Sequence, residues 1–295
     1  LPSIVFGGLS IGLILVLWRR FLGDRGAYLA AMAMAISQVF GGFAYQFRGY
    51  SLTMLLTVPA VAGLMELSRG NVRRGLWLQL PPLVLLPLVI PSNAILALAH
   101  AVFLLVWTHG PLRARKRLAM AGLVAGAGAL GLAYYGTILD QFLQVARQTS
   151  GWPSGMMVLG SLGLGLAIHL GLLAGIVPAA LVSMRRRHEV DLDAAWAGLY
   201  IGALVVPVCA TLLVRHGNAP FPRVYLAILV PVTFAVVLAT RNWPHWERLP
   251  LLGWAAAILV FGYAAEWVSS AHTRQALRSG EHPQNLVQQY YRGST

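Results

Sequence analysis

The chain is 295 residues long and 58% hydrophobic, and its mean hydropathy of +0.68 goes with only 11% charged residues, against about a quarter in soluble domains. This composition excludes a water-soluble globule. The 22 basic residues outnumber the 9 acidic ones and lie in short clusters between long apolar runs, as in a polytopic membrane protein. Anionic lipid headgroups account for the net charge of +13, so nucleic acid is excluded as a partner.

Ten apolar runs have about the length that a helix needs to cross a hydrocarbon layer of roughly 30 Å. A β-barrel would instead show short segments of alternating polarity. We therefore predict an all-α, polytopic transmembrane helical bundle of about ten spans over residues 1–268, followed by a short polar tail over 269–295. The runs lie near 1–17, 27–45, 50–67, 76–90, 94–107, 118–139, 154–183, 194–214, 224–240 and 249–268. Only Pro91, Ser92 and Asn93 separate the fourth and fifth runs, which are either two thin spans or a hairpin that dips in and returns.

The basic residues of the connections predict an orientation. Lys and Arg total 15 in one alternate set of connections and 4 in the other, and basic connections face the cytoplasm. The tail from Ser269 is then extracytoplasmic, and so is Leu1. Because the chain opens at Leu1 and not at Met, we expect a further span and outer loop before it. The composition, rich in Arg, Ala, Gly and Leu, is typical of a bacterial protein and predicts the inner membrane.

Polar residues at the outer ends of the predicted spans are the candidate binding residues. A single arginine there either snorkels to the headgroups or binds an anionic ligand, and both interpretations stay open. Several converging arginines favour a lipid-linked phosphate, because a guanidinium binds phosphate oxygens bidentately. The candidates are Tyr45, Gln46, Arg48, Tyr50, Asn93, Arg147, Arg215, His216, Asn218, Arg223 and Tyr225.

Few acids are available for catalysis at the outer side. Asp140 and Glu266 are the candidates, and Asp140 shares a face with Gln144 and Arg147 if that segment is helical. Asp140 either pairs with Arg147 or caps the preceding span, or else it orients the acceptor or acts as a base. Glu66 is expected near the cytoplasmic end as a solvated cap.

Two histidines, His100 and His169, lie in the middle of predicted spans. Each is either a core histidine with its ring nitrogens satisfied or part of a proton relay.

Two stretches of the sequence resemble the GT-C type membrane glycosyltransferases, the relatives of protein O-mannosyltransferases and lipid A aminoarabinose transferases. The first runs over residues 1–56, with Pro2, Ser3 and Gly7 opening one span, Trp18, Arg19, Arg20, Phe21, Leu22 and Gly23 closing it, and an alanine-rich span leading into Tyr45, Gln46, Phe47, Arg48, Gly49, Tyr50, Ser51 and Leu52. The second is Pro220, Phe221, Pro222, Arg223, Val224, Tyr225 and Leu226 followed by Pro231, where Val224 separates an Arg and a Tyr that adjoin in the family.

The resemblance implies a hexosyl- or pentosyl-transferase that moves a sugar from a polyprenyl-phosphate carrier to an acceptor lipid, glycan or protein at the extracytoplasmic face. It also implies a catalytic acid in the first outer loop, before Leu1, which leaves Asp140 as the catalytic candidate within this chain. Membrane lipids are the other expected partners. No cofactor is predicted, and a divalent metal is left open. A transporter or flippase that binds the same anionic substrate without chemistry, and a non-catalytic scaffold subunit, are the alternatives.

Overall fold

The computed structural model describes residues 2–37, 40, 49–138, 140–141, 154–171, 192–214 and 222–241, with the backbone alone for 164–171, 214 and 222–224. The elements of this part of the chain are helices, which confirms the all-α prediction for it. In chain order they are α1 (Pro2–Leu13), a π-helical turn (Ile14–Trp18), α2 (Arg19–Ile36), α3 (Tyr50–Ser68), α4 (Val72–Val89), a 3-10 turn (Pro91–Asn93), α5 (Ala94–Val106), α6 (Ala114–Gly136), α7 (Gly155–Gly171), α8 (Leu192–Val214), a 3-10 helix (Pro222–Ile228) and α9 (Leu229–Thr240).

Four helices of the described chain are long and apolar enough to cross a membrane: Pro2–Ile36, Tyr50–Ser68, Ala114–Gly136 and Leu192–Leu213. Two shorter apolar helices, Pro91–Val106 and Tyr225–Thr240, accompany them. The total of about ten spans stays a prediction. The predicted tenth span over 249–268 and the tail over 269–295 lie outside the described residues.

The first two predicted spans are joined by helix and not by the loop that we expected between them. We predicted a connection over 18–25, but the chain is helical through this stretch except at Gly23, where φ is 71° and ψ is 174°. Glycine adopts this positive φ without the steric cost that a side chain would bring. The arginines assigned to the connection, Arg19 and Arg20, therefore stand on a helix.

Helix α3 lies at the centre of the bundle. It contacts α1, α4 and α9, and most of its residues are buried. Small residues permit the close approach of α4: a Cβ placed on Gly63 would lie 2.8 Å from the backbone nitrogen of Gln79, and one on Gly75 would lie 2.6 Å from Cγ of Leu67. Close helix crossings at glycine are typical of membrane bundles.

Residues from several helices contact each other at two opposite ends of the bundle. At one, which we call the basic end, Arg241 donates to the carbonyl of Phe21 over 2.7 Å and pairs with Asp193 at 2.6 Å. The loop after α5 reaches this end as well, because Gly110 lies against the carbonyl of Ser68.

At the other end, which we call the tyrosine end, Gly49 packs against Val89. Asn93 bonds to Thr53 there, and the hydroxyl of Tyr135 donates to the carbonyl of Leu88. The chain thus passes between the two ends in both α4 and α5.

Glu66 corrects one prediction. It lies at the basic end, but it is 0% exposed and is not a solvated cap. Its Oε1 is 3.2 Å from Nη1 of Arg20 and 3.2 Å from Nε of Arg74, and its Oε2 accepts a hydrogen bond of 2.6 Å from Asn71. A carboxylate can be buried at this depth because cations and donors from two neighbouring helices and a loop surround it.

Candidate functional site

Three of the predicted binding residues meet at the tyrosine end. Tyr50 opens α3, Asn93 closes the 3-10 turn before α5, and Tyr225 lies in the 3-10 helix 222–228. That 3-10 helix contacts both α3 and the turn, and all three side chains are buried. Residues that are 175 positions apart along the chain are therefore carried by elements that touch each other.

Asn93 is the best defined polar group of this site. Its Nδ2 donates to Oγ1 of Thr53 over 3.0 Å and to the carbonyl of Leu86 over 3.1 Å, which fastens the turn to α3 and α4. Its Oδ1 is buried and has no hydrogen-bond partner among the described residues, and the same holds for Oγ of Ser51. An unsatisfied buried polar atom costs about 1 to 3 kcal/mol, so a hydrogen-bonding group that reached either atom would be stabilised.

The arginines of the site are described only in part. Arg223 stands in the first turn of the 3-10 helix 222–228, by its backbone. Arg48 directly precedes Gly49, which packs against Val89 beside the site. Outside the described residues lie Tyr45, Gln46, Arg48, Arg147, Arg215, His216 and Asn218, and Glu266 as well.

Asp140 lies just beyond α6, at the same end of the bundle, and is exposed. Among the described residues it forms no ion pair and no hydrogen bond, and the helix end is closed instead by Thr137, whose hydroxyl donates to the carbonyl of Tyr134 over 2.6 Å. Because its side chain is exposed, solvent or a ligand can reach Asp140. Its predicted neighbour Arg147 is outside the described residues.

A second polar group, which sequence analysis captured only through His100, lies inside the bundle. Nδ1 of His100 is 2.7 Å from Nε2 of Gln79, and its Nε2 is 2.5 Å from the hydroxyl of Tyr200. All three residues are fully buried. The ring of Phe103 packs edge-on against Tyr200, and the ring of Trp196 is tilted against it. The sequence feature that could have revealed this buried group is Gln79, a lone amide in the apolar run 76–90.

His100 therefore has a hydrogen-bond partner at each ring nitrogen, an arrangement that both interpretations allow. The side chain of His169 is outside the described part of the chain. An amide nitrogen can only donate, so in a singly protonated ring Nδ1 of His100 accepts and the proton sits on Nε2. Oε1 of Gln79 and Nε1 of Trp196 have no partner among the described residues.

No group of three or more metal-binding side chains lies together in the part of the chain that the structure describes. The comparisons with known proteins find no match: no family model fits the chain, and no curated protein or solved structure is similar to it.

Proposed function

We propose that this protein is a GT-C type membrane glycosyltransferase that moves a sugar from a polyprenyl-phosphate carrier to an acceptor at the extracytoplasmic face. One observation supports it above the others. The two stretches that resemble the family, around Tyr50 and around Tyr225, belong to elements that contact each other at the tyrosine end. Proximity of the two stretches is what a shared binding site requires.

The orientation belongs to the same proposal. The basic end faces the cytoplasm of a bacterial inner membrane, and the tyrosine end faces outward together with the tail over 269–295. In this proposal the chain has about ten spans, and the site lies at their outer ends. Excess Lys and Arg at one end supports this orientation, because basic connections stay in the cytoplasm.

The chemistry follows from the residue types. Guanidinium groups of Arg48 and Arg223 hold the carrier phosphate and offset the charge that it gains as it leaves. A carboxylate, with Asp140 as the candidate in this chain, takes the proton of the acceptor hydroxyl. The acceptor oxygen then forms its bond to the anomeric carbon as the carbon–phosphate oxygen bond breaks, with inversion. The unpartnered Oδ1 of Asn93 would accept a hydrogen bond from a sugar hydroxyl.

The test uses a polyprenyl phosphate that carries a photoreactive group, added to the purified full-length protein in mild detergent. We expect crosslinks to the segments around Tyr50, Asn93 and Tyr225. Arg223→Ala should weaken probe binding by roughly 10- to 150-fold, which corresponds to about 1.5 to 3 kcal/mol for a charged hydrogen bond. Arg223→Lys should restore it only in part, because lysine keeps the charge but loses the bidentate geometry.

The matched control is Arg19→Ala. Arg19 is an exposed arginine of the basic end that pairs with Asp24, so its loss should leave crosslinking at the tyrosine end unchanged. Equal effects of Arg19→Ala and Arg223→Ala would show that the probe follows overall charge. Crosslinks outside the tyrosine end would place the carrier elsewhere and contradict the proposal.

A transporter or flippase is the second candidate, and the buried group around His100 is what favours it. Ionisable side chains inside a membrane bundle are the usual components of proton relays. Proteoliposomes separate the two functions. A transporter moves the lipid-linked substrate or a proton across the bilayer without altering the sugar bond, whereas a transferase releases polyprenyl phosphate. A scaffold subunit would do neither and would instead copurify with a catalytic chain.

A further inference from the structure

Two basic loops at the basic end pack against each other. The first joins α3 to α4 and the second joins α5 to α6. A Cβ on Gly70 would lie 2.7 Å from Cγ of Pro111, and one on Gly110 would lie 2.5 Å from the carbonyl oxygen of Ser68. The start of α4 and the start of α6 are thereby brought close together, and the two helices contact each other.

Both helix starts carry positive side chains and no acidic ones. The first turn of α4 includes Arg73. Arg113 directly precedes α6, and the first turn of α6 includes Arg115 and Lys116. Helix N-termini already bear a partial positive charge and favour acids in their first turn. The sequence therefore concentrates cations where the backbone disfavours them, which makes the joint surface a strong attractor for an anion.

The described carboxylates of this end pair with other residues. Glu66 is shared by Arg20 and Arg74, Asp24 pairs with Arg19, and Asp193 pairs with Arg241. Arg117 is also accounted for, since it donates over 2.8 Å to the carbonyl of Trp107, just after α5. In the described part of the chain no acid pairs with Arg73, Arg113, Arg115 or Lys116.

The neighbouring exposed side chains indicate which anion this surface meets. Trp77 follows Arg73 by four residues and is 73% exposed, and Leu118 follows Arg115 by three residues and is 64% exposed. These spacings put each cation and its apolar neighbour on one helix face. A cation next to an exposed tryptophan or leucine suits the boundary between headgroups and acyl chains, where Trp is enriched. A free phosphate in solution would gain nothing from contact with the apolar side chains of Trp77 and Leu118.

We propose that the surface formed by Arg73, Arg113, Arg115 and Lys116, with Trp77 and Leu118 beside it, binds the headgroups of anionic phospholipids of the surrounding leaflet. The phosphodiester lies against the arginines and the two helix N-termini, and the first acyl methylenes lie on Trp77 and Leu118. This surface is distinct from the site at the tyrosine end, and it does not depend on the proposed transfer reaction.

The experiment counts lipids retained by the purified full-length protein in native mass spectrometry, with phosphatidylglycerol and phosphatidylcholine as probes. The wild type should prefer phosphatidylglycerol. Each arginine near an anionic surface contributes about 1 kcal/mol, so Arg73→Gln or Arg115→Gln alone should weaken phosphatidylglycerol binding about 5-fold. The double variant should weaken it about 30-fold at 1.4 kcal/mol per decade.

The control is the double variant Arg19→Gln and Arg25→Gln, which removes two exposed arginines from the same end and lowers the net charge equally. It should retain phosphatidylglycerol like the wild type. Equal losses in the two double variants would mean a diffuse charge effect and would overturn the proposal. Displacement of the lipid by millimolar inorganic phosphate would overturn it as well, because it would assign the surface to a free anion.

Discussion

Nε2 of His100 lies 2.5 Å from the hydroxyl of Tyr200, although the two residues are a hundred positions apart in the chain. The contact joins α5 to α8, and Gln79 on the other ring nitrogen adds α4. Three helices that are otherwise held by apolar packing are thus fixed in register by two hydrogen bonds. Polar contacts of this kind specify one arrangement of a bundle, since a slipped helix would leave the buried groups unsatisfied.

Tyr200→Phe should destabilise the protein while leaving its helical content intact. The change removes one hydroxyl and leaves a buried ring nitrogen of His100 without a partner, at a cost of about 1 to 2 kcal/mol. The measurement is the free energy of unfolding in mixed detergent micelles. Tyr134→Phe is the control, because the side chain of Tyr134 is exposed and its hydroxyl makes no hydrogen bond within the described part of the chain. Equal stability of the two variants would show that the contact with His100 contributes nothing.

The charges around Glu66 predict that removing its two arginines costs more stability than removing Glu66 itself. Removing both Arg20 and Arg74 leaves the fully buried carboxylate without its two ion-pair partners and should cost about 3 to 5 kcal/mol. Glu66→Ala should cost less, because the two arginines are about half exposed and water can solvate them. Adding Glu66→Ala to the double arginine variant should therefore recover part of the lost stability.

The exposed pair of Arg19 and Asp24 serves as the control for this prediction. Alanine at either position should change the free energy of unfolding by at most about 1 kcal/mol, since exposed ion pairs contribute little. If the triple variant at Arg20, Arg74 and Glu66 were less stable than the double one, the carboxylate would be stabilising by itself and our account of its burial would be wrong.

The helices of the bundle were predictable from hydrophobicity alone. The predicted runs 50–67, 94–107 and 194–214 coincide with α3, α5 and α8 to within a few residues. These elements are apolar on every face, so their length decides the structure. The joint at Gly23 was not predictable, because Arg19 and Arg20 mark a polar connection in the sequence, whereas in the fold Arg20 pairs with Glu66 and Arg19 pairs with Asp24.

The polar groups were harder to predict than the helices. Glu66 was expected to be solvated because the predicted topology puts it near the cytoplasmic end of its span, and nothing local indicates that α2 and α4 close over it. Gln79 and Tyr200 are isolated in sequence and acquire a role only when α4, α5 and α8 pack. By contrast, Asn93 was found because it stands between two apolar runs, where a polar side chain has few places to lie.

The orientation predicts a difference in labelling between the two ends. In a chain with Cys209 replaced by alanine, Thr108→Cys at the basic end should be shielded from an impermeant thiol reagent in intact cells, whereas Gln141→Cys should react. Both positions are exposed in the fold, so burial cannot account for a difference. Reaction in permeabilised cells is the control for accessibility. Labelling of Thr108→Cys in intact cells, with Gln141→Cys shielded, would place the tyrosine end in the cytoplasm.

Asp140→Asn tests the proposed base. The substitution keeps the size and hydrogen-bonding capacity of the side chain but removes the charge. Because Asp140 is exposed and has no ion pair within the described chain, the free energy of unfolding should stay within about 0.5 kcal/mol of the wild type. Turnover of the lipid-linked donor per folded molecule should fall by about 10²-fold, as for the loss of a general base.

Gln141→Asn is the matched control, since it alters the adjacent exposed residue without changing the charge. Its turnover should equal that of the wild type. Reduced stability of Asp140→Asn with normal turnover would assign Asp140 to a structural pair such as the one predicted with Arg147. Normal stability together with full turnover would remove Asp140 from the mechanism, and the proton would then have to pass to another acid.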